Sequence, residues 1–277
     1  PVAGSAKPYP AINIFSMLAW GLGYFGMPHI LVRFMAIRDE KELTLSRRIA
    51  AVWVVISMTV AVCIGMIGNS VSKAGHIPTL EGSASETIIV QIANLLSTYG
   101  WLAAIVAGLI LAGILAATMS TADSQLLAAS SAFSENLLQD VFGMKLTPKQ
   151  TMLVARGTVI CIAIIAVFLA SDPNSSVFAI VSFAWAGFGA TFGPAILCAL
   201  FWKRSNRQGI LAGLVVGGVM VFVWKFLIAP MGGALAIYEL LPAFLSALIA
   251  IVVVSLLTPK PDASVLALFD QSKQSAE

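Results

Sequence analysis

The sequence predicts an all-α polytopic membrane protein, on the basis of three observations. Hydrophobic residues make up 59% of the chain, charged residues make up 10%, and the mean hydropathy is +0.94. Soluble domains carry about 25% charged residues, so these charges are too few to cover a globular surface in water. Seven stretches each reach the length of about 20 mostly apolar residues that a helical span needs. The lipid bilayer is therefore expected to be the solvent.

The seven apolar stretches are predicted to be helices. In lipid each backbone N–H and C=O must be paired within its own segment, and the alternating polarity of barrel strands is not seen. The predicted spans are residues 11–36, 47–69, 101–122, 151–170, 176–201, 209–229 and 237–257. Together they predict one transmembrane domain over residues 1–257, followed by a cytoplasmic tail over residues 258–277.

Two amphipathic segments lie between the spans. Residues 85–98 space their apolar side chains helically, and Ser85 is the expected N-cap. Residues 124–141 are predicted to continue the third span into a more polar helix. We expect the first segment at the outer interface of the membrane and the second at the inner interface.

The positions of Lys and Arg predict the orientation of the chain. If the first span runs from outside to inside, the inner side holds Arg33, Arg38, Lys41, Arg47, Arg48, Lys145, Lys149, Lys203, Arg204, Arg207, Lys260 and Lys273. The outer side then holds Lys7, Lys73 and Lys225. Basic residues concentrate in cytoplasmic loops, so we expect the start of the chain outside and the tail in the cytoplasm.

The composition argues against several classes of function. A net charge of +3 gives no support for a nucleic-acid partner, and the three cysteines form no C-x-x-C motif. No P-loop, dinucleotide fingerprint or Ser-His-Asp set is seen, so we expect no catalytic residues and no organic cofactor. The chain begins with Pro1 and shows no signal peptide, from which we expect the C-terminal part of a longer protein.

The first predicted span is interrupted in its middle. The interrupting residues are Gly21, Gly23, Gly26 and Pro28. Trp20 and Tyr24 lie four residues apart, hence on one helix face, where they can cover a small solute. A kink that serves helix packing and an unwound segment that faces a substrate are both consistent with this pattern.

Neutral oxygens cluster at the end of the third span. Ala117, Ser120 and Thr121 are spaced i, i+3 and i+4 and share a helix face, so one carbonyl and two hydroxyls form a compact set suited to a monovalent cation. The pattern alone favours a simpler role, in which the hydroxyls bond back to the helix or join helices. Arg156, inside the fourth span, either extends to the inner interface or pairs with a carboxylate in gating.

Three stretches resemble the sodium/solute symporter family, and especially its proline-transporting branch. They are WGLGYFGMPHILVRFMA at 20–36, ILAATMSTADSQLL at 114–127 and SFAWAGFGATFGP at 182–194. The resemblance implies a leucine-transporter-type fold of two inverted five-helix repeats. This chain would supply the second inverted repeat plus two extra helices, and the first repeat would be missing from it.

The same resemblance implies roles for individual residues. It places Trp20, Tyr24 and Pro28 in a substrate site, Ala117, Ser120 and Thr121 in a sodium site, and Arg156 in coupling. The implied function is sodium-coupled symport of L-proline by alternating access in a bacterial plasma membrane, with Na⁺ as the coupling ion. The alternatives are symport of another small organic solute, the membrane sensor domain of a receptor kinase, and a channel.

Overall fold

The structure, a computed structural model, describes residues 10–171 and 176–274, and its regular structure within those ranges is helical. The helices are α1 (Ala11–Gly23), α2 (Pro28–Met35), α3 (Glu40–Lys73), α4 (Ile88–Ser97), α5 (Trp101–Ser131), α6 (Pro148–Leu169), α7 (Val177–Phe201), α8 (Arg207–Val223), α9 (Leu240–Leu257) and α10 (Ala263–Gln274). The all-α prediction is confirmed.

The predicted spans correspond to helices of sufficient length and apolarity. Among the described residues, six helices qualify singly, and α1 with α2 qualifies as a seventh span that is bent by 52°. The break in the first span is therefore present, as the sequence predicted. The sidedness derived from Lys and Arg stays a prediction.

The prediction that α5 continues into a polar helix is confirmed. After Ser131 the chain widens into a π-helical segment over Ala132–Val141, so that the combined helix Trp101–Val141 has 41 residues. The hydroxyl of Ser134 is buried in this segment and donates to the carbonyl of Ser130 at 2.8 Å. The polar face of the helix thus satisfies its hydroxyl internally.

The expected N-cap at Ser85 is wrong. Ser85 lies in a 3₁₀ turn, Gly82–Thr87, and its hydroxyl donates to the carbonyl of Gly82 at 2.6 Å. Helix α4 begins later, at Ile88, without a side-chain cap from Thr87. The 3₁₀ turn places Ser85 three residues before the first residue of α4, so Ser85 is outside the N-cap position.

The chain forms two compact units. Of the described residues, unit 1 contains 36–171 and 176–177, and unit 2 contains 10–35 and 178–274. In unit 1, α3 and α6 bury none of the side chains in their most apolar windows. Such long apolar faces are not stable in water, so lipid or further protein must cover them.

Unit 2 has a core of small side chains around α7. Ala186 and Ala190 of α7 are fully buried against Val221 of α8 and against Leu240 and Phe244 at the start of α9. Because lipid tails are as apolar as the side chains, helices in a membrane gain stability from close contact, which small residues allow. The core of unit 2 follows this rule.

A stripe of glycines on α8 brings its backbone close to two neighbours. Gly209 and Gly213 face Ile251 and Ser255 of α9, and a β-carbon on Gly217 would lie 2.5 Å from the carbonyl oxygen of Ala190. The four-residue spacing places all three glycines on one helix face. Helix α8 is therefore held between α7 and α9 at backbone distance.

Gly217→Ala is expected to destabilise the protein. The added methyl meets a backbone carbonyl that cannot move aside, and overpacking of this kind costs about 1–3 kcal/mol. A matched control is Gly218→Ala, where the added methyl lies 3.6 Å from Thr191, an ordinary contact. The measurement is the midpoint of thermal unfolding of the purified protein. Equal midpoints for the two variants would contradict the packing described here.

Candidate functional site

The break in the first span falls at Met27. Helix α1 ends at Gly23, a 3₁₀ turn covers Tyr24–Gly26, and Met27 is extended with φ −84° and ψ 113° before α2 begins at Pro28. Proline disfavours a helical conformation of the residue before it and has no N–H for the preceding turn. Pro28 therefore accounts both for the break and for the start of the new helix.

Glycines next to the break, on the face that packs against α7, contact that helix directly. A β-carbon on Gly23 would overlap the ring of Trp185, and one on Gly26 would overlap the carbonyl of Phe188. On the other helix, a β-carbon on Gly189 would lie 2.6 Å from Cα of Gly23. The interrupted backbone is thus packed against the backbone of α7, with no side chain between them.

An aromatic cluster surrounds the break, and consists of Trp20, Tyr24, Phe178, Trp185 and Tyr238. The ring of Trp20 stacks on Phe178, Trp185 and Tyr238 with centroid distances of 5.3, 5.6 and 5.9 Å. Tyr24 meets the ring of Trp185 edge-on at 4.8 Å. Such pairs contribute about 0.5–1.5 kcal/mol each beyond their buried area. The cluster therefore fixes the ring of Trp20 from several sides.

Hydrogen bonds hold the aromatic cluster in register with the backbone. The indole N–H of Trp185 donates to the carbonyl of Trp20 at 3.0 Å. The hydroxyl of Tyr238 donates to the carbonyl of Ser182, and the amide of Tyr238 donates to the hydroxyl of Ser16 at 3.0 Å. These bonds join α1, α7 and the segment before α9.

The structure brings two of the three predicted substrate residues together. Trp20 and Tyr24 contact the same ring, that of Trp185, with Trp20 half-buried and Tyr24 55% exposed. Pro28 is exposed on the far side of the break and is not in the aromatic cluster. Sequence reasoning missed Trp185 and Tyr238 as partners of Trp20. The available signal was a lone tryptophan among small residues in the fifth predicted span.

The predicted sodium residues form an exposed patch on α5. Ala117, Ser120 and Thr121 all lie within the regular helix, and the hydroxyl of Thr121 donates to the carbonyl of Ala117 at 3.2 Å. In an α-helix the same carbonyl also accepts from the amide of residue 121. The carbonyl of Ala117 therefore becomes available to a cation only when the hydrogen of the Thr121 hydroxyl turns away, whereas the hydroxyl oxygen keeps its lone pairs in either orientation.

Arg156 lies within α6, on its exposed surface. The helix begins with a capping box in which Thr147 and Gln150 bond to each other. Arg156 is eight residues from Pro148, which is about 12 Å along the helix axis. Within the part of the chain that the structure describes, no carboxylate pairs with it, so extension of its guanidinium toward the interface and pairing elsewhere both stay open.

The aromatic cluster belongs to unit 2, and the hydroxyl patch and Arg156 belong to unit 1.

The sequence model of the sodium:solute symporter family matches residues 6–217 of the chain.

The chain belongs to the sodium:solute symporter family.

Its relatives include curated proteins that are named as proline transporters. The chain is 40% identical over 266 residues to the "Sodium/proline symporter" of Haemophilus influenzae, covering 95% of the chain and 51% of that protein. It is 40% identical over 263 residues to the "Osmoregulated proline transporter OpuE" of Bacillus subtilis, with the same shares. It is 38% identical over 264 residues to the "Sodium/proline symporter" of Escherichia coli, covering 94% and 50%.

The chain spans about half the length of the curated relatives that it matches. No solved structure matches it significantly.

Trp185→Phe is expected to loosen the break in the first span. The variant keeps an aromatic ring but removes the indole N–H that donates to the carbonyl of Trp20, and a typical hydrogen bond contributes about 0.5–1.5 kcal/mol. The measurement is the midpoint of thermal unfolding of the purified protein. Trp101→Phe is the control, because Trp101 is 77% exposed. A midpoint lowered equally in both variants would mean that the indole bond contributes nothing specific.

Proposed function

We propose that this protein carries out sodium-coupled uptake of L-proline as a secondary transporter in the plasma membrane, together with the N-terminal helices that its family's fold implies. The observation that carries the proposal is the bent first span, broken at Met27 and flanked by exposed Tyr24. Discontinuous helices supply free backbone groups to substrates in secondary transporters. Family membership and the names of the relatives support the same conclusion.

The proposed solute site uses the exposed part of the aromatic cluster. The ring of Trp20 is stacked against three neighbours, whereas Tyr24 remains 55% exposed and offers its face to the apolar ring of proline. The carboxylate of the solute would meet the start of α2. There Pro28 has no N–H, and the amides of Ile30 and Leu31 already bond to the carbonyl of Met27.

The amide of His29 is then the donor of this first turn that the proposal assigns to the carboxylate of the solute. The positive end of the helix dipole adds to this attraction. Such a site recognises a small amino acid by one apolar contact and one charge contact.

The proposed sodium site uses the patch of Ala117, Ser120 and Thr121. Neutral oxygens hold a monovalent cation weakly enough to release it in each cycle. Each Na⁺ that moves inward gains about 2.3 kcal/mol per 100 mV of membrane potential. That energy supports roughly fifty-fold accumulation of the solute, because 1.4 kcal/mol corresponds to a factor of ten. Alternating access would couple the two movements, with Arg156 as a participant.

Ser120→Ala combined with Thr121→Ala is expected to abolish the sodium dependence of uptake. The double variant removes both hydroxyl oxygens and leaves the carbonyl of Ala117 as the one remaining member of the predicted set. The measurement is uptake of radiolabelled proline by cells that express the complete gene, with and without Na⁺.

The matched control is Ser57→Ala combined with Thr59→Ala. These residues lie in α3 and bond back to the carbonyls of Val54 and Val55. The control removes the same two hydroxyl types from another span of unit 1 and should keep full sodium dependence. If the Ser120 and Thr121 variant also keeps it, the sodium assignment is wrong.

Tyr24→Ala is expected to raise the KM for proline by about fivefold or more, because the variant loses an aromatic contact of about 1 kcal/mol. Phe25→Ala is the control, since Phe25 is 43% exposed but lies outside the aromatic cluster. The measurement is the concentration dependence of proline uptake. An equal rise in KM for both variants would place the solute elsewhere. Competition by other small amino acids and betaines in the same assay decides whether proline is the preferred substrate.

A further inference from the structure

A cavity of about 410 Å³ lies where three spans of unit 2 end. Helix α7 ends at Phe201, α8 begins at Arg207, and α9 ends at Leu257. Helix α10 covers one side of the cavity with Val265, Leu266 and Phe269. The cavity is therefore enclosed by the ends of three spans and one short amphipathic helix.

The floor of the cavity is rigid because Asn206 connects two spans. Its side-chain oxygen accepts from the amide of Gly209 at 2.8 Å and so caps α8. Its side-chain amide donates to the hydroxyl of Thr258 and to the carbonyl of Pro259, both at 2.7 Å. Asn206 is buried, so these bonds are shielded from water. The cavity is a built feature of the fold.

Two nearby basic residues are already engaged. Lys203 forms an ion pair with Asp270 of α10 at 2.6 Å. The guanidinium of Arg204 donates to the carbonyl of Thr258 at 2.7 Å, at the C-terminal end of α9. These contacts attach α10 and the loop after α7 to the body of unit 2.

Two further basic residues are uncommitted. Arg207 and Lys260 line the cavity, are exposed, and have no ion-pair partner among the described residues. Asp262 is the carboxylate that lines the cavity with them. Because the charge of Lys203 is paired with Asp270, the remaining charged side chains of the described lining are two basic and one acidic. The cavity therefore favours an anion.

The surroundings of the cavity place it at the edge of the apolar part of the spans. Phe201 is 73% exposed and Leu257 is 82% exposed, directly beside it, and Trp202 is in its lining. Tryptophan is typical of the membrane–water interface. On α10, Leu268 is 69% exposed, as expected for a helix that lies in the headgroup region. An anion bound here would have acyl chains beside apolar side chains.

We infer that this cavity binds the phosphate headgroup of an anionic phospholipid, held by Arg207 and Lys260 while its acyl chains pack along Phe201 and Leu257. Basic pockets beside membrane spans have the chemistry to recognise such headgroups. The lipid would join the ends of α7, α8 and α9 to α10. The lining of this cavity shares no residue with the aromatic cluster or with the hydroxyl patch on α5.

Native mass spectrometry of the complete protein in detergent tests the inference, with dioleoylphosphatidylglycerol and dioleoylphosphatidylcholine as the added lipids. The parent should bind the anionic lipid more tightly than the zwitterionic lipid. Arg207→Gln combined with Lys260→Gln should lower the affinity for the anionic lipid about tenfold or more, because each basic residue near the surface contributes a separate attraction. Arg207→Lys combined with Lys260→Arg should preserve it.

Lys145→Gln combined with Lys149→Gln is the matched control, since both lysines are exposed and lie outside the cavity. An equal loss in this control would show that overall charge alone attracts the lipid, and would overturn the inference. Asp262→Asn should raise the affinity for the anionic lipid severalfold, a gain that misfolding cannot produce. No gain from Asp262→Asn, or equal binding of the two lipids by the parent, would also overturn it.

Inorganic phosphate separates a lipid site from a site for a soluble anion. Inorganic phosphate at the same concentration as the lipid should leave binding of the anionic lipid unchanged, because free phosphate has no acyl chains to pack on Phe201 and Leu257 and so binds more weakly. If inorganic phosphate displaces the lipid and binds by itself to the same residues, the cavity is a soluble-anion site and the lipid assignment is wrong.

Discussion

The pyrrolidine ring of Pro28 is the constraint on which the break and its surroundings depend. Its clash with the preceding residue leaves Met27 extended, and its missing N–H interrupts a helix that must cross a membrane, where an unsatisfied backbone group costs several kcal/mol. Protein must therefore cover the break. Helix α7 does so at backbone distance through Gly189, and the indole of Trp185 also donates to the carbonyl of Trp20 in the last turn of α1. The interruption, the glycines and the tryptophan are thus parts of one arrangement, in which α7 covers the interrupted backbone.

The same arrangement links packing to the proposed chemistry. Gly23 and Gly26 have no side chains on the side of the break that packs against α7. The aromatic side chains of this region therefore lie on other sides of the interrupted helix. Trp20 is stacked against its neighbours, and Tyr24 keeps an exposed face. A rigid aromatic ring beside free backbone groups is suited to a small zwitterion, because it offers one apolar contact and fixed dipoles together.

The sequence predicted the features that depend on local composition. The spans, the break near Pro28 and the helix that continues past α5 follow from hydropathy and from proline and glycine, which act within a few residues. The partners of Trp20 could not be predicted in this way, since Trp185 lies 165 positions away along the chain. The predicted N-cap at Ser85 is wrong because residues 82–87 form a 3₁₀ turn and α4 begins only at Ile88. Helix α10 was not predicted, and its residues were assigned to the tail. Its apolar side chains have a partner only where the ends of α7, α8 and α9 come together, which local composition does not reveal.

The glycine stripe on α8 has a mechanical consequence. Where two helices meet through long side chains, they can slide by exchanging rotamers, but Gly209, Gly213 and Gly217 have no rotamers to exchange. Helices α8 and α9 are thus expected to move together as one rigid body rather than to slide past each other. Bending in this region is then concentrated where the stripe stops, at the wider π-helical turn Trp224–Ile228 that follows α8.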